Sequence, residues 1–233
     1  VYSELSIGDG FVGDITLNGW EGKAAISETS IAPYEGTSAL KITLVDDEGN
    51  WFGIGLELSQ NENMKDYEGG YLSFMINTSY MGNLTIGFQS PGQDAVMKIT
   101  PGDYGYNNDS VWHRVIIPID DLLATNPDVD ITNILNPFVL MSAEDAYWES
   151  IFIDDIKWIS SVGEGENWAP EVFMPTLAID DVSGDLELTY DFFDLNGDED
   201  QSLIQWYLND TEMPSFENWT TIPAANLNYW DVW

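Results

Sequence analysis

Two adjacent aspartates, Asp154 and Asp155, lie inside the stretch IFIDDIKW, whose other residues are typical of a buried β-strand. Aspartate is uncommon in strands, and burying a carboxylate without a partner is costly. Because successive side chains of a strand point to opposite faces, one aspartate is expected among large apolar groups. That predicted face consists of Phe152, Asp154, Ile156 and Trp158. The carboxylate of Asp154 therefore needs a partner, which is a cation or a set of main-chain amides.

The composition of the chain bears on which partner this is. The 233 residues include 6 basic and 41 acidic side chains, so protein cations are scarce. A hard cation such as Ca²⁺ takes about six to eight oxygens and accepts main-chain carbonyls as ligands. Calcium is the favoured partner of Asp154, and a lysine or backbone amides are the alternative.

Aromatic side chains are the second group that could bind a ligand, because indole and phenol rings stack on apolar surfaces. Trp20 in LNGWEG and Trp51 in EGNWFGIG adjoin glycines in turn-like stretches, and Trp148 follows the polar stretch SAEDAY. We predict that these three tryptophans stack on a ligand, with a place in the core as the alternative. Trp112 and Trp158 lie in strand-like stretches and are expected in the core.

Polar side chains on strands could add hydrogen bonds to such a ligand. Gln89 in LTIGFQS and Lys98 in AVMKIT are the candidates, since amides and amines hydrogen-bond hydroxyl groups and so read their arrangement. A solvent-facing position without a binding role is the alternative for both.

An acidic loop, DFFDLNGDEDQ at 191–201, contains further candidate metal ligands. Asp194, Asn196, Asp198 and Asp200 stand at alternate positions around a glycine, which can bring several oxygens to one point. The order of residues in an EF-hand is not met. A second calcium site and a solvated acidic turn are the two interpretations.

These candidates lie on or between short segments that alternate apolar and polar residues, a pattern typical of strands buried on one face. Turn-forming stretches such as DDEGN, SPGQD and TPGDYGYNND separate them. The pattern predicts an all-β fold, an antiparallel two-sheet sandwich with one short helix in IDDLLATN. Examples of the predicted strands lie at 38–45, 51–58, 71–77, 84–90, 95–100, 112–119 and 151–158.

The chain is predicted to contain two domains. All six lysines and arginines precede position 160, and SSVGEGENWAP has the composition of a linker. We therefore place a first domain at 1–160, a linker at 161–169 and a second, smaller β domain at 170–233. The second segment is short for a complete immunoglobulin-like domain.

Four stretches carry a family resemblance: YEGTSALKITL, YEGGYLSFMIN, WHRVIIPIDDLL and, some 30 residues later, IFIDDIKW. In order and spacing they resemble the β-jelly-roll, galactose-binding-like carbohydrate-binding modules that are appended to bacterial exo-β-glucanases and agarases. The likeness covers residues 1–160. It implies one structural calcium that fastens the first strand to the last, with Asp154, Glu4, Glu35 and Ser38 as ligands. Residues 170–233 resemble immunoglobulin- or cadherin-like modules of bacterial surface proteins.

The net charge of −35 indicates the kind of partner. Such a surface repels nucleic acids, anionic lipids and anionic polysaccharides. We therefore predict no nucleic-acid partner and no membrane insertion, and non-catalytic binding of a neutral polysaccharide, with a β-glucan such as laminarin first and an agarose-type galactan second. A calcium-stabilised adhesin or spacer module is the alternative, and a glycoside hydrolase or lyase is a further one.

Catalysis is disfavoured by the residues present. With one histidine and no cysteine, histidine-based triads and thiolate chemistry have no basis. Paired carboxylates are too common among 41 acidic residues to indicate a glycosidase. The chain begins at Val1 and shows no signal peptide, so we expect an excised part of a secreted, periplasmic or cell-surface bacterial protein with further covalently linked domains.

Overall fold

A computed structural model describes residues 4–7, 15–31, 33–34, 36–44, 51–142, 150–161, 171–194 and 199–227. The chain divides into two compact units, Val1–Gly163 and Glu164–Trp233. Nearly all the regular structure consists of antiparallel strands, which confirms the prediction of an all-β sandwich fold. Within the described ranges, no helix has the length and apolar character that crossing a membrane requires.

The strands of the first unit are short, in keeping with the frequent turn signals. In chain order they are β1 (Glu4–Ile7), β2 (Ile15–Gly19), β3 (Ala24–Thr29), β4 (Ala39–Leu44), β5 (Phe52–Leu58), β6 (Tyr71–Thr78), β7 (Leu84–Ser90), β8 (Gln93–Ile99), β9 (His113–Pro118), β10 (Asn136–Ser142) and β11 (Ser150–Ile159). The helix α1 (Ile119–Thr125) follows β9, where the sequence predicts it, and buries Ile119 and Leu122. Short 3-10 turns lie at Trp20–Gly22, Lys65–Tyr67 and Asp103–Gly105.

Two sheets of these strands pack face to face. The six-stranded sheet has the order β3-β4-β11-β6-β9, with β1 also paired to β11, and the five-stranded sheet has the order β2-β5-β10-β7-β8. Aromatic rings join them: Phe74 lies 5.1 Å from Phe138, and Phe88 lies 4.7 Å from Trp158, between ring centroids. The Trp158 indole donates a hydrogen bond to the Pro137 carbonyl at 2.8 Å, which satisfies its one buried polar atom. The core therefore lies between the sheets, as a sandwich requires.

A β-bulge in β11 changes the predicted faces of that strand. The register runs from Asp154 opposite Met75 to Lys157 opposite Ser73, so two residues of β11 face one residue of β6. Asp155 takes the extra position with a φ of 45°, a left-handed conformation that aspartate tolerates better than most residues. Ile156 and Trp158 consequently enter the core with Ile153, whereas Phe152 and Asp154 are half-buried. The predicted face shared by Phe152, Asp154, Ile156 and Trp158 is therefore wrong beyond the bulge.

The more deeply buried carboxylate is that of Asp155, and its partners are protein cations. Its side chain is 2% exposed, and its two oxygens accept from Arg114 Nη2 at 3.2 Å and Lys157 Nζ at 2.7 Å. Arg114 also donates to Ser73 Oγ at 3.2 Å. A buried carboxylate that meets two cations avoids the penalty of an isolated charge. This ion-pair network therefore accounts for one of the two aspartates in the closing strand.

The second unit is smaller and has its own core. Its strands are β12 (Glu171–Ile179), β13 (Leu186–Phe193), β14 (Tyr207–Leu208), β15 (Thr211–Glu212) and β16 (Thr221–Ile222). They form a three-stranded sheet, β12-β13-β16, and the pair β14-β15. Leu186, Trp206, Phe216 and Ile222 are buried together. The immunoglobulin-like character of this unit stays a prediction.

We expect Asp155→Asn to lower the free energy of unfolding of the first unit by roughly 3 to 5 kcal/mol, because Arg114 and Lys157 would keep their buried charges without a carboxylate. Asparagine also tolerates the left-handed backbone, so the effect is that of charge. Urea denaturation followed by near-ultraviolet circular dichroism measures it. The exposed Asp66→Asn removes the same charge and should change stability by about 0.5 kcal/mol or less. Equal midpoints for both variants would contradict the assigned role.

Candidate ligand-binding face

The outer face of the five-stranded sheet is the surface opposite its core side. The pairing of the strands identifies the residues of this face. One row across the sheet consists of Asn18, Gly55, Val139, Gly87 and Val96. A parallel row consists of Gly53, Met141, Thr85 and Lys98, and a third contains Asn136, Gln89 and Asp94. We refer to these residues, with Glu57 of β5, as the outer face.

Trp20 reaches this face from a tight turn between the two sheets. The turn Trp20–Gly22 connects β2, in the five-stranded sheet, to β3, in the six-stranded sheet. Glu21 has a φ of 52°, and the Lys23 amide donates to the Trp20 carbonyl at 3.1 Å. This closed turn fixes the main chain of Trp20, and its half-buried indole extends over β5.

Two glycines of β5 provide the floor on which the indoles lie. A Cβ added to Gly53 would lie 2.3 Å from Trp20 Cε3 and 2.9 Å from Trp51 Cζ3. A Cβ added to Gly55 would lie 3.1 Å from Trp20 Cζ2. The distances at Gly53 are shorter than real Cβ contacts, and the distance at Gly55 is shorter than most of them, so the indole lies against the main chain of β5. Trp20 and Trp51 therefore border the same point of the outer face, above Gly53.

One carboxylate and two amide side chains form a hydrogen-bonded row across β8, β7 and β10, which ends beside the Trp20 indole. Gln89 Nε2 donates to Asp94 Oδ1 at 2.8 Å, and Asn136 Nδ2 donates to Gln89 Oε1 at 2.7 Å. Asn136 is 6% exposed, whereas Gln89 is half-buried. The row joins one predicted residue, Gln89, to two neighbours that hold its orientation.

The outer face includes two carboxylates. Glu57, on β5, accepts a hydrogen bond from the Asn18 amide, and Asp94 accepts one from Gln89. Lys98 is exposed on β8. Two carboxylates against one amine leave this surface negative, in line with the net charge of the chain.

Four of the predicted ligand-binding residues therefore share one face: Trp20, Trp51, Gln89 and Lys98. The fifth, Trp148, lies outside the described residues. Trp112 and Trp158 are buried, as predicted for core tryptophans. Trp112 packs against Tyr34, with ring centroids 6.0 Å apart.

The predicted calcium ligands are only partly brought together. Asp154 is half-buried, and its carboxylate accepts from the amides of Tyr34, at 2.9 Å, and Asp155, at 2.8 Å. The first of these bonds holds the turn that precedes Ser38 against β11. Glu4, in contrast, pairs with Ile159, five residues along β11 from Asp154, so the register does not bring it beside Asp154. Glu35 lies outside the described residues.

The remaining acidic side chains of the described ranges do not form an evident metal site. Within the described ranges, no three Asp, Glu or His side chains converge so as to hold a metal ion. A ligand shell completed by main-chain oxygens is a different arrangement, so calcium at Asp154 stays a prediction.

The acidic loop of the second unit is described only at its ends. Asp194 is buried at the end of β13. Asp200 accepts hydrogen bonds from the Ser202 amide and the Tyr190 hydroxyl, each at 2.8 Å. Hydrogen bonds from Ser202 and then Tyr190 lower the pKa of Asp200, and the same carboxylate raises the pKa of Tyr190. Asn196 and Asp198 lie outside the described residues, and this metal site stays a prediction.

Sequence reasoning missed Gly53, Gly55 and Asn136. The spacing of the glycines in WFGIGLEL could have identified them. They are two residues apart and therefore lie on one face of a strand that follows a tryptophan. Asn136 had no such signal, because its place depends on the pairing of β10 with β7.

Comparisons with known proteins agree on the first unit. The family model described as Carbohydrate binding domain 30 matches residues 3–160. The family 30 carbohydrate-binding module of the cellulosomal cellulase Cel9D-Cel44B of Clostridium thermocellum is 20% identical, with 68% of this chain and 98% of that module covered and a TM-score of 0.54.

A second family 30 module of known crystal structure is 21% identical, with 72% of this chain and 91% of that chain covered and a TM-score of 0.52. At these identities, the likeness of the structures shows the fold alone. No curated protein matches the chain.

We expect Gly53→Ala to displace the Trp20 indole, because the new methyl group would lie 2.3 Å from its Cε3 atom. The near-ultraviolet circular dichroism and the tryptophan emission should both change. Gly55→Ala is the matched control, since its nearest contacts of 3.0 and 3.1 Å require a smaller shift. Wild-type spectra for Gly53→Ala would show that the indole does not lie on this floor.

Proposed function

Residues 3–160 belong to the family of carbohydrate-binding domain 30, and from this membership we propose that the first unit binds a neutral polysaccharide on the outer face of its five-stranded sheet. Domains of this family are non-catalytic. The first unit would therefore recognise a glycan without changing it chemically.

The observation that carries the proposal is the meeting of Trp20 and Trp51 above Gly53. A pyranose ring has an apolar C–H face that packs on an indole, and each such contact contributes on the order of 1 kcal/mol. Because the indoles lie against main-chain atoms, few orientations are open to them before a sugar arrives, which lowers the entropic cost of binding. Stacking by these two side chains would give a modest affinity.

The class of glycan follows from charge and from the polar groups nearby. Glu57 and Asp94 lie on the same outer face as the indoles, and the chain carries a net charge of −35, so uronic acids and sulfated sugars would be repelled. Gln89 and Lys98 supply hydrogen-bonding groups for hydroxyls. We propose a β-glucan such as laminarin as the first ligand and an agarose-type galactan as the second. The relative from Clostridium thermocellum is a module of a cellulase, which supports a β-glucan.

The setting of the module is part of the proposal. A non-catalytic module acts by holding a partner domain near its polysaccharide, which raises the effective concentration of the two. We propose that the chain is part of a secreted, periplasmic or cell-surface bacterial protein, with further domains covalently linked to it.

A structural calcium is proposed for the first unit. The hydrogen bond from Tyr34 to Asp154 supports it, because it holds the turn that precedes Ser38 next to the candidate carboxylate. Each carboxylate oxygen that accepts one amide has a second lone pair with which a cation could be bound. Asp154 and Ser38, with Glu35 and main-chain oxygens of the same turn, are the proposed ligands.

Replacing either stacking residue tests the glycan proposal. We expect Trp20→Ala and Trp51→Ala each to weaken binding to laminarin about fivefold, which corresponds to about 1 kcal/mol. Affinity electrophoresis in gels with laminarin, a soluble cellulose derivative, agarose or alginate identifies the ligand, and titration calorimetry gives the affinity. Trp219→Ala, an exposed tryptophan of the second unit, is the control and should bind as the wild type does. Retardation by alginate alone would contradict the charge argument.

Removal of divalent ions tests the calcium proposal. At a calcium concentration a hundred times its Kd, binding would stabilise the first unit by about 2.7 kcal/mol. EGTA should then lower the melting temperature by roughly 5 to 10 °C. Asp154→Asn should abolish this response, whereas Asp66→Asn should retain it. A melting temperature that EGTA leaves unchanged would exclude the proposed calcium.

A further inference from the structure

Asn136, at the start of β10, holds a buried oxygen to which none of the described residues donates a hydrogen bond. The residue is 6% exposed, and its Oδ1 atom is fully buried. Among the described residues, no hydrogen-bond donor meets this oxygen. Buried amide oxygens of this kind are uncommon in folded proteins, because losing water without gaining a donor is costly.

The orientation of the Asn136 amide is set by Asp94, two strands away. A carboxylate only accepts hydrogen bonds, so Gln89 must turn its NH₂ group towards Asp94, at 2.8 Å. The Gln89 oxygen then faces Asn136, so Asn136 must donate a hydrogen bond from its own NH₂ group, at 2.7 Å. A reversed Asn136 amide would set two oxygens against each other. The row therefore directs the Asn136 oxygen away from Gln89.

That oxygen lies beside the Trp20 indole. It is 3.0 Å from the position that a Cβ on Gly55 would occupy, and Trp20 Cζ2 is 3.1 Å from the same position. The acceptor thus sits at the edge of the proposed stacking surface, on its sheet side. A pyranose stacked on an indole carries its equatorial hydroxyls outward in the plane of its ring, so they extend past the edge of the indole.

We propose that Asn136 is a specificity residue of the glycan site, whose Oδ1 accepts a hydrogen bond from a hydroxyl of the sugar stacked on Trp20. This inference rests on the proposed function and identifies a residue that would distinguish one sugar from another. Because Oδ1 is fully buried in the unliganded protein, this contact requires a small displacement of the half-buried Trp20 side chain when the sugar binds. The ligand then satisfies an acceptor for which the described part of the chain supplies no donor, and a sugar that lacks this hydroxyl does not.

Titration calorimetry with a gluco-oligosaccharide tests the assignment. Asn136→Leu keeps the approximate volume and removes the acceptor, and we expect at least a tenfold loss of affinity with little loss of melting temperature. With singly deoxygenated oligosaccharides, one analogue should bind the wild type and Asn136→Leu equally, and that analogue identifies the hydroxyl. Wild-type affinity in Asn136→Leu would overturn the inference while the glycan-binding function stands. A wild-type protein that binds no glycan overturns both.

A second variant tests the row without touching the core. Asp94→Asn can donate as well as accept, so it frees Gln89 and Asn136 to reverse, and we expect a twofold to fivefold loss of affinity in a protein that folds normally. Asp66→Asn removes the same charge elsewhere and should bind as the wild type does. Unchanged affinity in Asp94→Asn, or a ligand-bound structure in which an ordered water rather than a sugar hydroxyl contacts Oδ1, would overturn the inference.

Discussion

The buried carboxylate of Asp155 is the constraint on which the sandwich depends. β11 pairs with β1, β4 and β6, so its register positions half of the six-stranded sheet. The bulge at Asp155 turns Ile156 and Trp158 into the core, where Trp158 meets Phe88 of the facing sheet. That turn buries a charge, and Arg114 and Lys157 neutralise it. Two of only six basic residues are thus committed to one carboxylate.

Alternation of apolar and polar residues predicts the strands well where pairing is regular. The stretch LTIGFQS coincides with β7 at both ends, and the single helix lies where IDDLLATN predicts it. The pattern fails where one extra residue enters a ladder, because a bulge reverses every face that follows it. The pattern is also weak at β10, for a different reason. This strand lies in the middle of its sheet and is buried on both faces, so NPFVLMS shows little alternation.

The candidate site is predictable in its parts and not in its assembly. Trp20 and Trp51 are identifiable because each adjoins glycine in a turn-like stretch, yet their meeting depends on how the Trp20 turn lies over β5. Gln89 and Lys98 alternate correctly for one face, but the register among β7, β8 and β10 decides their neighbours. Asn136 belongs to the site only through that register. Local patterns specify residue types, and strand pairing over long sequence distances specifies proximity.

A floor made of main chain limits how such a surface can diverge. Any side chain at Gly53 brings atoms into the Trp20 ring, whereas a methyl group at Gly55 requires a smaller shift, so Gly53 is the more constrained of the two positions. Thr85, Val96 and Met141 share the face with ordinary, half-buried side chains and stand open to exchange. We therefore expect substitutions that change the proposed ligand to fall on β7, β8 and β10, while Trp20 keeps its place over β5.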